Sequence, residues 1–296
     1  MEDVESIQKI FLADRRGNQT TLERSEEGWI YDGRYPVNPN VIKNLLDAVS
    51  QVEIQYIPPA AATRPMVEDL ASSGIKVEVY GKKDDLLKAY YVGGTTADER
   101  GTIMIMEGSE QPYVTQIPSM VGALRVRYAV TGDQWRDKTL FHMKPEDITE
   151  VSVEYPKMKN RSFRLTREED GFSIRPFYEV TRPITLPYKQ GSAEHYLQGF
   201  EGIIAEAFEN ENPLRDTIVQ RLPFSIITVQ TKGGEEQVVR LHPAISSNAY
   251  LNEAPPVFEH YLAEVFPNND FILVQDRIVT RILWGYDFFF RDESQD

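Results

Sequence analysis

The chain has 296 residues, 41% of them hydrophobic and 26% charged, which is enough apolar matter for one large core or two ordinary ones and excludes a disordered composition. Lys and Arg number 32 against 46 Asp and Glu, a formal charge of -14 that disfavours phosphate backbones and anionic lipid surfaces, so no nucleic-acid partner is expected. There are no cysteines, which excludes disulfides, thiolate metal sites and cysteine nucleophiles together.

No stretch approaches the roughly 20 apolar residues that a membrane-spanning helix needs, and the opening MEDVESIQ has no hydrophobic signal region. The segment SIQKIFLADRRGNQTTLERSEEGWIYDG predicts a strand, a turn at Gly17 and Asn18, a second strand, and a third beginning at Trp29. Ile10 and Leu12 alternate with polar residues, as a sheet with one buried face requires. Asn38 then caps a helix with Pro39 in its first turn, and Val41, Leu45, Val49 and Val52 form its apolar stripe. A short helix around Met66, Val67 and Leu70 leads to a strand over residues 76–80.

A comparable order starts again at DITEVSVEYPKMKNRSFRLTREEDGFSIRP, where Gly171-Phe172 stands 143 residues after Gly28-Trp29. An insertion over 181–189 delays the next helix, whose stripe is read as Tyr196, Phe200, Ile203, Ile204 and Ala207. Ile218, Val219 and Leu222 repeat the spacing of Met66, Val67 and Leu70, and residues 226–230 repeat the strand over 76–80. Each half closes on a Trp-containing segment, WRDKTLF and WGYDFFFR. An offset that drifts between about 145 and 155 residues implies duplication of a whole domain rather than a solenoid of short repeats. The expected fold is therefore α+β, with two similar modules, 5–140 and 141–292, of antiparallel β-meanders with helices packed on one face.

The residues carry no recognisable catalytic pattern. His142, His195, His242 and His260 form no H-E-x-x-H or other compact metal-ligand spacing; exposed or capping roles suffice for His142 and His195, and His242 falls where a strand stops. Gly93-Gly94-Thr95-Thr96 lacks the ending of a phosphate loop and reads as a tight turn. GTIMIMEGS reads as a strand bounded by Gly101 and Gly108, its methionines in core packing or on a sheet surface rather than in a ligand groove. No serine sits in a nucleophile elbow, so no catalytic, cofactor or metal residue is nominated and no cofactor is expected.

The feature that invites a binding role is aromatic and basic: Tyr90 and Tyr91, then Arg125, Arg127, Tyr128, Trp135 and Arg136. Such residues build a platform for a sugar or a peptide, with Tyr90, Tyr91, Arg125, Arg127 and Trp135 as its possible surface. The competing reading has Trp135 pinning the two modules together and the arginines paired with carboxylates. Trp284, Tyr286 and Phe288 to Phe290 are expected to dock into the second core.

The succession KIFLADRRGNQTTLERSEEGWIYDGRYPVNPNVIKNLLDAV, KVEVYGKKDDLLKAYYVGG, and WRDKTLF leading into DITEVSVEY resembles the bacterial family of domain of unknown function 4340. That resemblance implies an extracytoplasmic domain tethered by one N-terminal membrane helix and encoded near transporter components similar to those of gliding-motility systems. It implies no reaction and no site residues, and this sequence departs from the usual members in lacking the tether. The functional expectation is a noncatalytic interaction module of a bacterial cell-envelope assembly with a protein partner. It is periplasmic and meets the membrane only through that tether, or is cytoplasmic if no leader exists. The alternative is a periplasmic or surface protein that binds a glycan or peptide in a cleft between the modules.

Overall fold

The alternation in KIFLA and QTTLERS is realised as strands β1 (Lys9–Ala13) and β2 (Gln19–Ser25) of a computed structural model that describes residues 3–141, 143–244 and 259–290. His142 lies outside the described residues. The chain divides into two units, residues 1–137 and residues 138–296. Strand β3 (Gly28–Tyr31) continues the meander from a hairpin at Gly28, whose φ of 136° lies where side chains are disfavoured.

After the short β4 (Tyr35–Pro36), Asn38 caps α1 (Pro39–Gln51), its side chain accepting from the amides of Asn40 and Val41. The buried stripe of α1 is Ile42, Leu45, Leu46, Ala48 and Val49, centred one residue away from the stripe read in the sequence. Each of the larger side chains contributes on the order of 1.5–3 kcal/mol by leaving water. Then follow β5 (Glu53–Tyr56), α2 (Ala60–Ser73), β6 (Ile75–Tyr80), β7 (Leu86–Thr95), β8 (Thr102–Met106) and β9 (Tyr113–Gln116). All pair antiparallel in the order β4-β3-β2-β1-β6-β7-β8-β9-β5.

The two helices of unit 1 lie on opposite faces of this sheet, which corrects the expectation that helices pack on one face. Leu45 and Val49 of α1 join Val77, Tyr90, Val92 and Met104 in the main core, whereas Leu70 of α2 packs with Ile103, Ile105 and Tyr91. Strand periodicity of two sends alternate residues of β7 and β8 to the two faces, and both faces are apolar enough to take a helix. Gly93 and Gly94 are part of β7, not of a tight turn. A Cβ on Gly93 would stand 2.8 Å from Leu70 Cδ2, so glycine is what lets α2 settle on the strand.

Unit 2 runs through β10 (Ile148–Glu154), β11 (Phe163–Glu168), β12 (Gly171–Pro176), α3 (Ser192–Gln198), β13 (Ala207–Phe208) and α4 (Arg215–Val219). It continues with β14 (Ser225–Thr231), β15 (Glu236–Ala244), β16 (His260–Phe266), β17 (Asp270–Gln275) and α5 (Asp276–Val279). Its sheet order is β12-β11-β10-β14-β15-β16-β17-β13, the order of unit 1 from β3 onward. Gly171 has the same φ of 136° as Gly28.

Two readings of the second half are corrected. Helix α3 ends at Gln198, because Gly199 follows and Gly202 takes a φ of 71°, so Ile203 and Ile204 lie beyond it and Ala207 begins a strand. Leu222 lies outside α4 and is exposed, whereas its counterpart in spacing, Leu70, is buried. Both closing segments carry a tryptophan, but the backbone contact that Trp135 makes in unit 1 has its parallel at Phe289 in unit 2. The Trp135 carbonyl accepts from the Asn38 amide ahead of α1, and the Phe289 carbonyl accepts from the Lys189 amide ahead of α3. Tyr286, Phe289 and Phe290 do join the second core, while Phe288 is exposed.

Candidate functional site

The aromatic and basic residues singled out in the sequence do not form one surface. Tyr90 is buried, its hydroxyl 3.3 Å from that of Tyr128, and burial in the core pushes both phenols up from their ordinary range. Trp135 is 0% exposed within unit 1, its indole N–H donating to the Val130 carbonyl at 2.9 Å. Tyr91 points to the other face of β7, where its hydroxyl meets Glu107.

Arg125 and Arg127 bind backbone rather than carboxylates. Arg125 donates to the carbonyls of Val92 at 2.8 Å and Ser73 at 2.6 Å, tying the end of α2 to β7. Arg127 donates to the Asn44 carbonyl at 2.8 Å and to Met120 Sδ at 3.0 Å. Their fork geometry suits this bracing of chain segments. Arg125 also borders a cleft of about 470 Å³ together with Arg15 and Arg16 of the β1–β2 hairpin.

The more coherent surface of unit 1 lies where α1 ends and the sheet has its far edge. A groove of about 270 Å³ is lined by Val52, Ile54, Met104, Met106, Tyr90 and Tyr113, among others. Its rim is unusually apolar for exposed protein: Ile54 is 59% exposed, Met106 46%, and Tyr56 and Ile57 beside it are exposed as well. Strand β5 is exposed along all four residues and, among the described residues, pairs only with β9, with a register shift at Gln55, which leaves its outer backbone edge without a strand partner there. The sequence signal was present in the Thr102–Met106 alternation: Met104 packs into the main core and Met106 lies exposed on the sheet, and both border the groove.

A family model described as "Domain of unknown function (DUF4340)" matches residues 35–220, more than half of the chain and parts of both units. The chain belongs to this family. No curated protein and no solved structure matches the sequence.

This DUF4340 member also carries, in unit 2, a buried polar pair that no compact motif announces. His242 on β15 and Glu264 on β16 are both buried, with Nε2 and Oε1 3.1 Å apart. They are brought together by the pairing of Arg240 with Glu264 and of His242 with Leu262, on the sheet face opposite the main core. His242 lies two residues inside the end of β15, not at its stop. Among the other histidines, His195 is an exposed residue of α3 and His260 meets Glu206 at 3.0 Å. Among the described residues no three His, Asp or Glu side chains are grouped to hold a metal ion, and no helix is long and apolar enough to cross a membrane.

Proposed function

We propose that this chain is a noncatalytic interaction module of a bacterial cell-envelope assembly, and that the groove beside β5 is where a protein partner docks. The observation that carries the reading is the combination of an apolar groove with an open strand edge: a partner segment gains apolar burial from Ile54, Tyr56 and Met106 and backbone hydrogen bonds from β5. Among the described residues of unit 2, the strand that holds the place of β5 in the sheet order, β13, has only two residues. The family resemblance supports placing the assembly at the membrane, beside transporter-type subunits and on the extracytoplasmic side, with an N-terminal helix as tether. We further propose that the two units descend from one duplicated module, a reading supported by the strand order common to both sheets.

The test is affinity capture of the tethered full-length protein from gently solubilised membranes of its host, with wild type beside Ile54→Glu and Met106→Glu. Transporter-type membrane subunits are expected with wild type and are lost with both variants, while thermal unfolding of the purified variants stays within a few degrees of wild type. The same partners recovered with the variants would remove the groove from the reading. Recovery of the protein alone from the soluble fraction would remove the membrane assembly.

A further inference from the structure

We infer that the groove beside β5 receives an extended stretch of polypeptide with an apolar residue and a lysine or arginine two positions apart; this rests on the docking reading above and names the chemistry of what docks. A single sheet face forms the floor. The register sets Tyr90 opposite Met106, Met104 opposite Tyr113 and Ile54 opposite Thr115, and side chains two apart on a strand share a face. Helix α1 covers the first part of that face with Leu45 and Val49, and it stops at Gln51. Beyond its end lies the groove of about 270 Å³, with Ile54 and Met106 exposed along it.

The backbone of β5 selects an extended occupant. Among the described residues β5 has no strand on its outer side, so its N–H and C=O groups there are placed to pair with a further strand. A strand added at that edge sends every second side chain to the face that carries Ile54 and the groove. The apolar lining makes one of these an aliphatic or aromatic residue, which leaves water on docking.

Charge selects the next residue on that face. Val49 and Val52 line the groove, so the last turn of α1 borders it. The final carbonyls of a helix lack partners within it and form the negative end of its dipole. No basic residue stands in the last turn of α1 to offset them. Glu53, two residues beyond the helix, is exposed on the same rim and makes no ion pair among the described residues. Lys88, the base of the lining, is already engaged. A helix end and a carboxylate of the same sign, side by side at the mouth of an apolar groove, favour a cation carried by the partner.

Other occupants fit less well. A second copy of this chain would bring a formal charge of -14 against its like, and its own β5, Glu53–Tyr56, offers an acid and no base. An acidic segment would set its carboxylates against Glu53 and the end of α1.

The test is selection of random phage-displayed dodecapeptides on the immobilised whole chain, followed by calorimetry with a synthetic peptide of the enriched pattern. Enriched peptides are expected to carry an apolar residue and a lysine or arginine two positions apart. The synthetic peptide should lose about tenfold or more in affinity with Ile54→Glu. It should lose on the order of two- to fivefold with Glu53→Gln, or when norleucine replaces its own basic residue. Methylation of its alternate backbone nitrogens should abolish binding in one of the two phases, because a strand pairs through every second amide. No enrichment, enrichment of acidic peptides, binding unchanged by methylation, or equal binding by the Ile54→Glu and Met106→Glu chains would overturn the inference. So would sedimentation showing a dimer that Ile54→Glu dissociates, which assigns the groove to a second copy. Neutral apolar peptides that still lose affinity with Ile54→Glu overturn the basic preference and leave the docking groove standing, whereas failure of the docking reading shows as membrane partners retained by that variant. Ile54 and Met106 are both exposed, so either variant serves should the other fail to fold.

Discussion

Arg24 lies 5.2 Å from the centroid of the Trp29 ring while its guanidinium donates to the carbonyls of Ile7, at 3.0 Å, and Val4, at 2.9 Å. It thereby clamps the 3-10 turn at Val4–Ser6 onto the meander. Arg167 does the same in unit 2: it sits 4.8 Å from the Phe172 ring and donates to Ile148, at 2.9 Å, and Pro145, at 2.8 Å. One side chain satisfies two carbonyls and covers an aromatic face, a task that needs a planar fork.

Arg24→Ala and Arg167→Ala are each expected to lower unfolding free energy by about 1–3 kcal/mol, from two lost hydrogen bonds and an uncovered ring. The lysine variants should recover less than half of that, because an ammonium cannot span both carbonyls and the ring at once. Urea unfolding of each variant measures this, and a full rescue by lysine would show that charge alone matters.

Trp135 and Tyr90, candidates for a ligand platform in the sequence, behave in the fold as core. Trp135→Ala is expected to cost about 3–5 kcal/mol, since it empties a fully buried site and leaves the Val130 carbonyl unpaired. Tyr90→Phe keeps the ring and loses only the bond to Tyr128, for roughly 0.5–1.5 kcal/mol. Denaturant melts distinguish the two, and a small effect of Trp135→Ala would return that residue to the surface.

What was legible in the sequence is local. Asn38-Pro39 announces α1 because a cap acts within three residues, and Gly28 and Gly171 mark hairpins because their backbone angle excludes most other residues. What was not legible depends on pairings distant in sequence. The groove exists because β5, which follows α1, pairs across to β9 some 60 residues later, and the buried polar pair of unit 2 because β15 and β16 bring His242 beside Glu264. Tyr90 and Tyr91, adjacent in sequence, went to opposite faces of β7 by the period of the strand, a signal available in the inward register of Val92.

An ion pair on the outer face of unit 1 gives the stability a pH dependence. Glu78 lies below its ordinary 4.5 because Lys76, at 2.7 Å, and the Tyr80 hydroxyl, at 2.6 Å, hydrogen-bond to its carboxylate. A group depressed in the folded state adds stability above its unfolded value, and that stability disappears as pH falls through 4.5 and below. Glu78→Gln should therefore flatten the acid limb of the stability curve, with a loss at neutral pH below about 1 kcal/mol after solvent screening. Guanidinium melts from pH 7 to pH 3 show whether wild type and variant converge at the acid end; parallel curves would exclude the pair as a source.

Gly93 tests the packing of α2 on the sheet. A Cβ there would meet Leu70 Cδ2 at 2.8 Å and the Ile103 carbonyl oxygen at 3.2 Å, and only the first of these can move. Gly93→Ala is therefore expected to push α2 outward and cost roughly 1–3 kcal/mol. Gly93→Ala/Leu70→Ala should recover part of that cost, because the smaller residue frees the space that the new methyl needs. The comparison must be made with Leu70→Ala alone, which forfeits a buried side chain for about 2–5 kcal/mol. A positive coupling between the two substitutions in a double-mutant cycle places Leu70 directly over Gly93, whereas simple additivity would mean that β7 and α2 adjust without touching there.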